Sequence, residues 1–151
     1  MIKILIVESE TLLRIGIRTI LSAENDLEII GETATSSEGL QILQDKQPDV
    51  ILMSLRLKET CAIDDVQTFL DLSPHAKIII LASHSGDGEI YKKKKKGALG
   101  YLSKDIPPAK LVKAIRLVAA GKKYIPANIA EILTENLGSE ELTPSEQTVL
   151  R

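Results

Sequence analysis

The sequence predicts an α/β fold: a doubly wound, five-stranded parallel sheet in the order 2-1-3-4-5. Two observations predict it. Apolar runs recur at Ile2–Val7 and at residues 27–30, 50–53 and 78–81, with a fainter one at 98–102. Between them lie segments whose apolar residues follow a helical spacing. Parallel strands buried on both faces read as continuous apolar runs, and they need helical crossovers. Five β-α repeats therefore give a parallel sheet covered on both sides. In such a sheet a site is expected outside the carboxyl ends of strands 1 and 3, where the strand order reverses.

Each helix has its own signal. Leu13, Ile17, Ile20 and Leu21 make one face of the first. The second starts at Thr35-Ser36-Ser37-Glu38, a capping-box pattern, and carries Leu40 and Leu43. The third is expected over residues 63–72, with Val66, Phe69 and Leu70 inward and Asp64-Asp65 near its start, where negative charge suits a helix N-terminus. The fourth falls at residues 89–96. The fifth starts at Pro107-Pro108, carries Leu111, Ala114, Ile115 and Val118, and stops at Gly121.

Beyond Gly121 the pattern changes. Pro126 opens a segment with Ile129, Ile132, Leu133 and Leu137, closed by Gly138 and followed by polar Ser139-Glu140-Glu141. Then Thr143-Pro144-Ser145-Glu146 supplies an N-cap, a proline at N1 and a glutamate at N3. Two turns of helix are not stable alone. The expected division is a first domain at 1–122, a linker with a helix at 123–141, and the opening of a second domain at 142–151.

The net charge of −2 gives no global signal for nucleic acid or membrane. The single cysteine, Cys61, excludes an internal disulfide and lacks partners for a metal cluster. The opening MIKILIV is too short for a signal peptide, and no apolar run approaches a membrane span. The expected setting is cytoplasmic.

Two segments carry a family resemblance. "GALGYLSKDIPPAKLVKAIRLVAAGKKYIP" and "LTPSEQTVLR" resemble the NarL/FixJ subfamily of two-component response regulators. The first belongs to a receiver domain and the second to the start of a LuxR-type helix-turn-helix. The resemblance implies a flavodoxin-like (CheY-like) fold and a phosphoryl transfer from a histidine kinase to an aspartate ending strand 3. It further implies two acidic residues after strand 1 that help hold Mg²⁺, a Thr or Ser after strand 4, an aromatic on strand 5 and a lysine after it. Those positions fall on Ser54 for the aspartate, Glu8 and Ser9 for the acidic pair, Ala82, Tyr101 and Lys104. The loop after strand 3, "LRLKETCAID", has Lys58 where the family usually has proline.

Three of these positions lack the expected chemistry. Mg²⁺ wants carboxylate oxygens in octahedral geometry, and Glu8 alone remains. Ser54 is a weak nucleophile without a base. His75 precedes strand 4, at the wrong end of the sheet, and nothing in the sequence orients His84. Ser54 therefore reads as a small polar filler. Lys104 is expected to pair with Glu8, and Tyr101 to be an amphipathic ring at the sheet edge. Residues 92–96 are all lysine. They read as a loosely docked helix whose lysines snorkel, the alternative being a basic patch for DNA phosphate or an acidic partner.

The expected function is a transcription regulator, not an enzyme, whose receiver takes no phosphate and uses no metal or other cofactor. It would serve as a dimerisation or partner-docking module for a DNA-binding domain. Expected partners are a second copy, a sensor kinase or other regulatory protein, and DNA through the C-terminal domain; no membrane is expected. One alternative is a receiver switched by another ligand or a partner. Another is a flavodoxin-like FMN carrier or small enzyme, against which "ESETLL" offers two glutamates and no glycine to a phosphate.

Overall fold

The computed structural model describes residues 1–55, 57, 62–83 and 98–125, with the backbone alone at 62–64. The expected helix at 89–96 with its lysine run, His84, Lys58, Cys61 and everything from Pro126 on lie outside the described residues. Five parallel strands form one sheet: β1 (Ile2–Val7), β2 (Leu27–Thr33), β3 (Val50–Ser54), β4 (Lys77–Ala82) and β5 (Ala98–Ser103). Their order is β2-β1-β3-β4-β5, as the sequence predicts. The described helices are α1 (Thr11–Ser22), α2 (Ser36–Asp45), α3 (Ala62–Leu72) and α4 (Pro108–Ala119). None is long and apolar enough to cross a membrane.

The period-2 alternation of a strand sorts each apolar run into two cores. Leu5, Val7, Ile51, Met53, Ile78 and Ile80 pack with Leu43, Val66 and Phe69 of α2 and α3. Ile4, Ile6, Val50, Leu52, Ile79 and Leu81 pack with Ile17, Leu21, Leu111, Ile115 and Val118 of α1 and α4. Burial on both faces is what made the runs continuous. β2 runs past its apolar stretch to Thr33 because Gly31, Glu32 and Thr33 pair with Leu5, Ile6 and Val7. Its position at the sheet edge, next to β1 alone, lets it carry polar residues.

The helix boundaries follow the caps. Thr35 Oγ1 accepts from the Glu38 amide at 3.2 Å and lies 3.0 Å from Glu38 Oε1, so the glutamate holds the threonine hydroxyl. α4 opens on Pro107-Pro108, and Gly121 takes the left-handed conformation with φ +88 that ends it. Asp64 and Asp65 fall within the first turn and a half of α3 rather than before it.

Beyond α4 the chain turns back, and Tyr124 bridges to Gly100 in parallel. The Tyr101 amide donates to Tyr124 O at 3.0 Å, and the Tyr124 amide to Leu99 O at 3.0 Å. This covers the outer edge of β5 and corrects the expectation for Tyr101. Its residue is 0% exposed and belongs to the α2/α3 core, not to an amphipathic edge.

Candidate functional site

The site is built at the carboxyl ends of β1, β3, β4 and β5. β1 ends at Val7, and Glu8 follows with its amide on Thr33 O at 2.9 Å. Its residue is completely buried, an expensive place for a carboxylate unless it is paired and hydrogen-bonded. Both conditions hold. Glu8 Oε2 accepts the Glu10 amide at 2.8 Å, folding the carboxylate back onto its own loop. Lys104 Nζ lies 3.1 Å from Glu8 Oε1, an ion-pair distance without the angle of a good hydrogen bond. Arg14 Nη1 donates to Glu8 O at 2.6 Å, which ties the first turn of α1 to the loop.

Lys104 is placed by β5 and by its own amide, which donates to Ala82 O at 2.8 Å. Its ammonium reaches a second carboxylate, Glu10 Oε2, also at 3.1 Å. Glu8 therefore grips the lysine from inside the pocket, and Glu10, 61% exposed, grips it from the solvent side. Counting ordinary charges, two carboxylates and one ammonium leave the cluster at −1.

Ser54 ends β3 beside Leu81 and is completely buried. The next amide, Leu55, donates to Leu81 O at 2.7 Å, which continues the sheet past the serine. Ala82 ends β4 opposite Ser103 and offers a methyl group where the family resemblance implies a hydroxyl. Ser9 is half-buried between the two glutamates. His75 sits in the turn before β4, at the opposite end of the sheet from Ser54. The site thus brings together Glu8, Ser9, Ser54, Ala82 and Lys104, while Tyr101 lies in the core beneath.

The donor set does not fit Mg²⁺. A hard divalent cation needs several anionic oxygens in an open octahedral arrangement. Ser9 and Ser54 are neutral, and Glu8 has one oxygen on an amide and the other beside an ammonium. Among the described residues no group of three or more His, Cys, Asp or Glu converges to hold a metal. The ammonium of Lys104 stands as the pocket's cation.

The residue that sequence reasoning missed is Glu10. The signal was present in "ESE", where two acids flank one small residue. A strand exit followed by a helix start turns the chain, and Glu8 and Glu10 then face the same lysine. The expected Glu8–Lys104 pair is found, but as half of a three-residue cluster.

Comparisons with known proteins agree with this geometry. The family model described as "Response regulator receiver domain" matches residues 4–116. The chain is 31% identical to the transcriptional regulatory protein LiaR of Bacillus subtilis, over 100% of this chain and 72% of the relative. It is 25% identical to the nitrate/nitrite response regulator protein NarL of Escherichia coli, over 98% of this chain and 73% of that protein. Among solved structures, a LuxR-family two-component response regulator from Aurantimonas superposes with a TM-score of 0.80 at 27% identity, covering 89% of this chain and 96% of the other.

Proposed function

We propose a function from one premise: this chain belongs to the response regulator receiver family, and its likeness is to the NarL/FixJ type of transcription regulator. Within that family we infer a receiver that is not switched by phosphate. It works as a dimerisation or partner-docking module for a DNA-binding domain, in the cytoplasm. Residues 1–122 are the receiver, 123–141 a linker, and 142–151 the first part of a LuxR-type helix-turn-helix. A sensor kinase acting by phosphoryl transfer has no substrate here, so an input would come through protein contact.

One observation carries the reading. The pocket lysine is bridged between Glu8 and Glu10, while the strand-3 position opposite it is a neutral, fully buried serine. Transfer of a phosphoryl group needs its charge stabilised as it moves. Lys104, the cation that would do this, is already held between two carboxylates, and Ser54 is a neutral, weak nucleophile. The dimeric, DNA-bound assembly in view is of the kind that one neighbour's structure displays, two RcsB dimers bound to two parallel DNAs. That likeness, at 22% identity, speaks for the fold alone.

The test is direct. Incubated with Mg²⁺ and acetyl phosphate, the protein should take up no label, and Mg²⁺ with beryllofluoride should leave its thermal midpoint unchanged. Ser54→Asp alone should stay unlabelled, because Ser9 leaves a metal one acid short and Ala82 lacks a hydroxyl. Rapid labelling of the wild type would overturn the reading. Rapid labelling of the variant alone would show that Ser54 is the one departure that matters.

A further inference from the structure

α1 and α4 lie side by side on one face of the sheet without closing on each other. A cavity of about 140 Å³ opens between Leu12, Gly16 and Ile20 of α1 and Ile106 and Leu111 beyond β5. A second, of about 380 Å³, continues from Ile20 past Pro108 and Val112 to Arg116. The shared Ile20 makes them one trough, about 18 Å long if it follows the twelve residues of α1. Its rim carries an apolar side chain where a free surface would be polar: Leu12 is 86% exposed. Gly16 has no atom within 4 Å of where a Cβ would sit, so the trough is open there. An amphipathic helix laid in a groove is the occupant such a shape takes.

Charge says which helix. Between residues 104 and 123, besides Lys104 and Arg116, which are paired with carboxylates, the chain has four basic residues (Lys110, Lys113, Lys122 and Lys123) and one acid, Asp105. Lys110 and Lys113 are exposed on α4, and Lys113 sits between the trough residues Val112 and Arg116 in sequence. From Pro126 to Leu150 there is no lysine or arginine, and there are five glutamates: 131, 135, 140, 141 and 146. The same stretch carries Ile129, Ile132, Leu133 and Leu137 at helical spacing. An apolar trough beside a basic helix thus has, in its own chain, an acidic segment with an apolar face.

The path fits as well. Tyr124 runs parallel to β5 beside Gly100, in the direction of the end of β5 where Ser103, Lys104 and Ile106 bound the trough. Extended, residues 126–129 reach roughly 13 Å, enough to cross the first turn of a helix about 10 Å wide. A helix continuing from there would bring Ile132, Leu133 and Leu137 over the trough.

We propose that residues 126–142 of this chain dock as an amphipathic segment in the trough between α1 and α4, with their glutamates toward Lys110 and Lys113. This would fix the linker on the receiver and set where the following domain is held. The inference does not depend on the state of the phosphoacceptor pocket.

The test uses the full 151-residue chain. In Ile132→Asp/Leu133→Asp, amides of residues 16–22 and 110–118 should exchange about tenfold faster than in wild type, with the centre of the sheet unchanged. A spin label at Asn136→Cys, in a Cys61→Ser background, should broaden the signals of Gly16, Ile20 and Val112. Glu131→Lys/Glu135→Lys should weaken that broadening, and adding Lys110→Glu/Lys113→Glu should restore it. Unchanged exchange in the apolar variant, or broadening confined to another face, would overturn the proposal. So would protection of α1 that rises with protein concentration, which would put a second copy in the trough.

Discussion

Two ion clusters stitch the ends of α1 to the β5–α4 unit, and each sets one cation between two carboxylates. At one end Lys104 lies between Glu8 and Glu10. At the other Arg116 lies between Glu24 and Asp26, with three contacts of 2.8 to 2.9 Å, two of them a fork on Asp26. The topology is the same but the burial is not. Lys104 and Glu8 are 13% and 0% exposed, whereas Arg116 and Asp26 are 44% and 48% exposed. The better hydrogen bonds are in the exposed cluster, and the higher stakes are in the buried one. Removing one partner of a buried pair strands a charge in a poor solvent, while a surface pair exchanges its partner for water.

The sharpest break of that comparison is Lys104→Met. It leaves the fully buried Glu8 with its amide donor but no cation, and should cost about 3 kcal/mol in urea unfolding. Adding Glu8→Gln should recover more than half of that, because a neutral amide can stay on the Glu10 N–H. A single-variant loss under about 1 kcal/mol would show that water reaches Glu8 and that the two clusters are alike.

Glu10→Gln should do far less. Glu8 still neutralises the lysine, so the expected loss is about 0.5 kcal/mol, and it should shrink further in 1 M salt. A loss matching that of Lys104→Met would mean that Glu10, not Glu8, is the lysine's main counter-ion.

The contrast also marks what the sequence could and could not tell. Strand positions and order were legible, because burial on both faces writes itself as unbroken apolar runs such as 50–53. The caps at Thr35 and Pro107 were legible because their chemistry is local. The Glu8–Lys104 pair was legible only through the family positions, since 96 residues separate the two. Glu10 was not, because its role depends on where a loop turns. Nor was the burial of Tyr101, whose side chain belongs to the α2/α3 core. The Arg116 cluster was missed for the same reason: three charged residues on ordinary surface positions give no pattern until α4 is laid against the α1–β2 turn.

The smallest effect expected is at that exposed cluster, and it should show in pH rather than in stability at neutrality. The Arg116 guanidinium, by its hydrogen bond, holds the Asp26 carboxyl below the ordinary carboxylate range. The same fork raises Arg116 further above any working pH, so the arginine does not titrate. A carboxyl depressed in the folded state adds stability that is fully present above its unfolded value, about 3.9, and is lost as pH falls through the lower folded value. Wild type should therefore lose stability between about pH 4 and the acid limit a little more steeply than Asp26→Asn, with the two curves parallel above about pH 5. Because the pair is solvated, 1 M salt should bring the acid limbs together, whereas it should leave the cost of Lys104→Met nearly intact. Thermal midpoints at pH 3, 4, 5 and 7, with and without salt, would separate the clusters. If salt erased both effects equally, burial would not be what distinguishes them.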